Sequence, residues 1–203
     1  MDKRVNLKSN QKPAETDKKE KHIFWGEIAP CEHVVQFYKE EGEFFQALEQ
    51  FVVSGLREQE VVVLIATPQH LSGLEQRLWT SHFDLIAAAR ARDQYITFDA
   101  DDTLSKFMVN NWPDEDRFKD QITSILNRAR SRGHRVRAFG EMVALLWAGG
   151  LNGATVRLEH LWNHFCEREG LPLFCAYPRS GFTSDADASM REICAAHTKS
   201  ICC

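Results

Sequence analysis

"VVVLIATPQH", residues 61–70, changes character after its sixth residue. Its first six residues are aliphatic without alternation, the pattern of a strand buried on both faces of a parallel sheet. Thr67 then supplies an N-cap and Pro68 a first helical residue, and Leu71, Leu74 and Leu78 return at helical spacing. A buried strand running straight into an amphipathic helix is half of a crossover unit, so the segment predicts an α/β fold.

The flanking sequence repeats the alternation. "HVVQFY" (33–38) is a short strand, followed by a helix with Phe44, Phe45, Leu48, Phe51, Val52 and Leu56 on one stripe and Glu40, Glu41 and Glu43 in its first turn. "QYITF" (94–98) is the next strand, and Asp99, Asp101 and Asp102 after it can cap a helix carrying Leu104, Phe107 and Met108. Beyond Trp112-Pro113, Asp114, Glu115 and Asp116 open a helix whose inner stripe is Phe118, Ile122, Ile125, Leu126 and Ala129; Arg128, Arg130 and Arg132 close it before Gly133. "RVRAF" (135–139) leads through Gly140-Glu141 into a short helix ended by Gly149-Gly150. Asn152 is read as the cap of a helix with Leu158, Leu161, Trp162 and Phe165 inward, and "LPLFCAYP" (171–178) as the last strong strand. Ser184 and Asp187 form a capping-box-like start for a helix with Met190, Ile193, Cys194 and His197 on one face. Strands separated by helices predict a mostly parallel sheet with helices on both faces, and ligands bind such sheets outside the carboxyl ends of the strands.

Composition narrows the function classes. The 203 residues carry a formal charge of −4 and are 43% hydrophobic, enough for one continuous core. Residues 1–22 are polar with isolated Val5 and Leu7, so 1–29 is read as a disordered polar tail and 30–203 as the folded domain. No apolar run approaches the ~20 residues that span a bilayer, and the first residues lack a secretory h-region, so a cytoplasmic protein without membrane association is expected. The six cysteines show no CxxC spacing and are read as free thiols. Mild acidity with dispersed basic residues gives no footprint for direct nucleic-acid binding.

At the predicted strand ends stand Tyr38, Thr67, His70, Asp99, Glu141, Tyr177 and Pro178. Glu141 is the conspicuous one, because an ionised carboxylate between two apolar runs is costly unless partnered. Two readings are open: it satisfies the amides and dipole of the helix it precedes, or it faces a ligand. Residues 66–78 occupy the place of a phosphate-binding loop, yet lack GxxxxGK[ST] and contain no Lys. His33 shares a strand face with Val35 and Phe37 and reads first as a hydrogen-bonded core residue. Cys194 and His197, three apart, have metal-compatible spacing; Cys175, His33, Cys202 or Cys203 would have to complete a zinc site, and a buried neutral Cys194 is the simpler reading. No metal or cofactor is assigned. No GxSxG, HExxH, dinucleotide loop or nucleophile–base pair is present, so no catalytic residue is assigned either. Trp147, Trp162, Tyr177, Phe139 and Phe174 could line an apolar pocket or simply fill the core.

Taken together, "HVVQFY" with its Phe-rich helix, "VVVLIATPQH", "RVRAFGEMVALLW", "RLEHLWN", "LFCAYP" and "ICAAHT" resemble the MEDS domain, the methanogen/methylotroph DcmR sensory domain. The resemblance spans about residues 30–200 and implies a three-layer sandwich related to the RecA/KaiC group with a degenerate phosphate loop. It implies a non-catalytic sensor of a small molecule, such as a hydrocarbon or one-carbon derivative. The signal would pass in trans to a histidine kinase or transcription regulator, since neither a kinase nor a helix-turn-helix domain is recognised in this sequence; a homo-oligomer is compatible with that role. By motif position, the resemblance carries His33, Tyr38, Thr67, His70, Glu141, Trp147, Tyr177 and His197 over as candidate ligand-binding residues. Two alternatives stand beside it: a divergent nucleotide-hydrolysing enzyme using Glu141 and Asp99, and a ligand-free interaction scaffold.

Overall fold

The computed structural model describes Trp25, residues 28–181 and residues 187–201. Nearly all of the predicted tail, and Ser184 of the capping box, lie outside them. In chain order the elements are β1 (His33–Tyr38), α1 (Glu41–Arg57), β2 (Val61–Ala66), α2 (Pro68–Ser81), α3 (Phe83–Ala91), β3 (Tyr95–Asp99), α4 (Ala100–Ser105), β4 (Met108–Val109), β5 (Trp112–Pro113), α5 (Glu115–Arg130), β6 (Val136–Gly140), α6 (Met142–Ala148), α7 (Asn152–Glu169), β7 (Leu173–Pro178), α8 (Asp187–Ala195) and β8 (Lys199–Ile201).

Six strands form one parallel sheet in the order β3-β2-β6-β7-β1-β8. The period of two along each strand divides the core into two layers. Val61, Val63 and Ile65 of β2 join α5, α6 and α7 on one face; Val62, Leu64 and Ala66 join α1, α2 and α3 on the other. Both layers are apolar, which is why β2 reads as a continuous hydrophobic run. The predicted α/β sheet with helices on both faces is the observed architecture.

Local sequence accounts for most boundaries. Thr67 caps α2 with Pro68 at its first position, Asp99 caps α4 and Asp114 caps α5, each side chain accepting a backbone N–H of the first turn. Gly170 ends α7 at φ 64°, a left-handed position that glycine adopts without a Cβ penalty.

Several expectations are corrected. The cap of α7 is Leu151 rather than Asn152, and α4 ends at Ser105, so Phe107 and Met108 lie beyond it. Asn110 and Asn111, at φ 50° and 61°, instead turn a small antiparallel hairpin, β4–β5, because asparagine tolerates the left-handed region a two-residue turn requires. α3 and β8 add to the predicted elements: α3 is alanine-rich with only Ile86 and Ala89 buried, and β8 spans three residues. Phe139 and Phe174 belong to the α1–α3 layer whereas Trp147, Trp162 and Tyr177 belong to the other, so these five aromatics cannot line one pocket.

Candidate functional site

Chain topology opens a crevice between β2 and β6. From β2 the chain crosses through α2 and α3 to β3 on one side; from the adjacent β6 it crosses through α6 and α7 to β7 on the other. Neighbouring parallel strands whose connections leave in opposite directions open a crevice at their carboxyl ends, the usual ligand position in such sheets. Thr67 and His70 follow β2 there, and Glu141 follows β6.

Glu141 bridges the crevice. The Thr67 backbone N–H donates to Glu141 Oε2 at 2.8 Å, and His70 Nδ1 lies 2.5 Å from Oε1. Glu141 precedes α6 as its N-cap residue, but its side chain makes no hydrogen bond to the amides of α6; the backbone N–H it accepts is that of Thr67, at the start of the neighbouring helix α2. That amide is one a phosphate-binding turn would direct at an anion, and here an internal carboxylate occupies the place. His70 Nε2 stands 3.5 Å from Glu41, and its ring packs against Phe44 and Phe45 at centroid distances of 4.7 and 5.7 Å. Tyr38, at the end of β1, stacks on Phe44 at 5.1 Å.

The electrostatics follow from this crowding. Burial of the His70 imidazole opposes its charge, but the Glu141 hydrogen bond and the charges of Glu141 and Glu41 outweigh that and raise its pKa. Burial, then Glu141 and Glu41, push the Tyr38 phenol up to about 12. Two carboxylates in the crevice would repel a triphosphate. Asp99, invoked for the enzyme alternative, is engaged in capping α4 through Asp102 N–H at 2.8 Å.

The remaining nominated residues lie elsewhere. Trp147, on α6, donates from Nε1 to the Gly181 carbonyl at 2.7 Å. His33, Tyr177 and His197 meet on the α7 side of the sheet with Cys175, one of the thiols considered for a zinc site, and with Glu159, which is not among the candidates read from the sequence. Glu159 is fully buried and accepts from the Tyr177 hydroxyl. His33 Nε2 is 3.5 Å from Glu159 Oε2 and 3.4 Å from Cys175 Sγ; His197 Nε2 is 3.3 Å from Glu159 Oε2. Burial raises the Glu159 pKa to about 8 against the lowering hydrogen bond from Tyr177, and lowers that of His197 to about 4. Burial, with the neighbouring His197, depresses His33, and burial pushes the Cys175 thiol up. Glu159 was legible in principle: with Thr155, Trp162 and Cys166 it lies on the inward face of α7, where a carboxylate has no solvent. Cys194, suggested as partner to His197, is partly buried against the core and outside this group. None of Cys31, Cys166, Cys175 and Cys194 is in a disulfide.

A cleft of about 320 Å³, lined among others by Glu60, Arg130, Arg135 and Pro172, opens at the amino-terminal edge of the sheet, opposite the crevice. No helix among the described residues is long and apolar enough to cross a membrane.

A parallel α/β sheet whose turn after β2 lacks the P-loop pattern and its lysine, and whose first amide there is held by a carboxylate, defines the class: an α/β domain without a P-loop. Within that class, residues 32–198 match the family described as MEDS, the MEthanogen/methylotroph, DcmR Sensory domain, and the chain belongs to it. MEDS is a sensory domain family. A search of curated proteins returned no match.

Proposed function

We propose that this chain is a non-catalytic sensor that takes a small organic molecule at the β2–β6 crevice and alters its contacts with a signalling partner, a histidine kinase or transcription regulator acting in trans. The observation that carries the reading is the Glu141 bridge to Thr67 and His70, a polar contact placed at the topological switch point. Phe44, Phe45 and Tyr38 surround it with aromatic surface, so the crevice combines apolar walls with a few polar groups. Because the bridge is closed, a ligand enters by replacing one of its partners, and the closed and opened states supply the unequal affinities a sensor needs. Hydrocarbon and one-carbon derivatives are the ligand class that the family resemblance implies.

The test is thermal stability of the chain against one-carbon compounds, halocarbons, short hydrocarbon derivatives, Mg·ATP and Mg·GTP. A ligand at about 100 times its Kd adds about 2.7 kcal/mol and raises the midpoint by several degrees. A shift with an organic compound that disappears in Glu141→Gln supports the proposal; a shift with Mg·ATP overturns it in favour of a nucleotide-binding protein. Closure of the crevice also favours a second reading, an interaction scaffold without ligand, and the absence of any shift would select it.

A further inference from the structure

The geometry points to a buried transition-metal site, suited to Zn(II), formed by His33 Nε2, Cys175 Sγ, Glu159 Oε2 and His197 Nε2. Each offers one ligand atom, and all four atoms lie within 4.8 Å of one another. A tetrahedral ion with bonds of about 2.0–2.3 Å separates its ligand atoms by about 3.3–3.6 Å. The contacts between His33 and Cys175, His33 and Glu159, and His197 and Glu159 are 3.4, 3.5 and 3.3 Å.

At His197 and Glu159 the surroundings present lone pairs to the centre. His197 Nδ1 is directed at the Ile193 carbonyl at 2.6 Å, so it carries the proton and leaves Nε2 as the unprotonated nitrogen. Tyr177 donates to Glu159 Oε1, which turns Oε2 inward. Glu159 Oε2 and His197 Nε2 are buried without a hydrogen-bond partner, an arrangement that is costly unless something else occupies them. A single proton on Glu159 could serve one imidazole; a divalent cation serves all four groups at once. The ligands come from β1, β7, α7 and the segment after α8, so the ion would pin the C-terminal segment to the sheet. Thr198 already clasps His33 there, with its backbone N–H and hydroxyl both donating to the His33 carbonyl.

Titration of the chelator-stripped full chain with Co(II), followed by optical spectroscopy, tests the site. One equivalent should bind, with the visible bands of tetrahedral cobalt and a near-ultraviolet thiolate charge-transfer band, and Zn(II) should bleach both. Cys175→Ser should abolish the thiolate band and weaken cobalt binding at least tenfold, and His197→Gln should weaken it as much. Tyr177→Phe, which keeps every ligand, should weaken it about 10–100-fold. A Cys202→Ser/Cys203→Ser double variant should leave the bands intact. Should Cys175→Ser fail to fold, His197→Gln decides by the same bands. The inference is overturned if stoichiometric tetrahedral cobalt is not seen, or if the bands survive Cys175→Ser and His197→Gln or vanish with the two terminal cysteines.

Discussion

Glu141 joins partners that lie 71 and 74 positions away in the chain, His70 and Thr67. Glu141→Gln keeps a carbonyl for the Thr67 amide but removes the charge facing His70. Hydrogen bonds to charged groups contribute about 1.5–3 kcal/mol, so a loss of that order is expected in urea denaturation at pH 6. The His70 pKa is raised in the fold, so the pair's contribution is fully present below the unfolded value of 6.5 and is lost as pH rises through the folded one. The stability gap between wild type and Glu141→Gln should therefore be widest in mild acid and narrow in alkali. NMR titration of the His70 ring should give a pKa above 6.5 that falls in the variant; an unchanged pKa would show that the carboxylate does not set it. That Glu141 needed a partner was legible from the apolar runs on either side. Its partners were not, because local pattern carries no information on which strand-to-helix turn will lie beside it.

Among the elements, α1 and β6 meet at a contact that sequence reading passed over. Arg137 sits in a strand of buried residues and is itself buried; it pairs with Glu60 and donates to the Trp25 and Phe51 carbonyls at 3.2 and 3.1 Å. Removing Arg137 leaves the buried Glu60 carboxylate with only the exposed Arg135, at 3.3 Å, so Arg137→Ala should cost about 3 kcal/mol by chemical denaturation, the lower end of the range for a broken buried pair. Replacing both members, as Arg137→Met with Glu60→Gln, should recover a large part of that. Gly55 of α1 makes room for the guanidinium: a Cβ there would lie 2.6 Å from Arg137 Cδ and Nε. Helix propensity favours alanine over glycine by about 1 kcal/mol. The fixed Arg137 should reverse that sign, and Gly55→Ala should lower the denaturation midpoint. Strand and helix identities were legible wherever the period was strong, as in β2 and α5. The hidden elements were those with little apolar periodicity, α3, β8 and the β4–β5 hairpin, whose existence rests on tertiary support.

Across the molecule, β1 occupies the fifth place in the sheet and β8 covers its outer side. Without that cover, "HVVQFY" would present a six-residue, largely buried strand with unpaired amide and carbonyl groups, a template for pairing with another chain. The three residues of β8 are held in place largely by what precedes them: fully buried Ile193, the His197 side chain against Glu159, and the Thr198 clasp on His33. Ending the chain after residue 186 removes all of these at once. The loss of Ile193 alone should cost about 2–5 kcal/mol, by analogy with large-to-small core substitutions. The exposed β1 edge should make the shortened chain self-associate with rising concentration, visible as a concentration-dependent sedimentation coefficient. Ile193→Ala in the full chain separates the two effects: it should lose stability yet stay at the wild-type sedimentation coefficient, because β8 still covers the edge. If the shortened chain shows no more self-association than Ile193→Ala, β8 is not what protects β1, and the C-terminal segment contributes only through its core contacts.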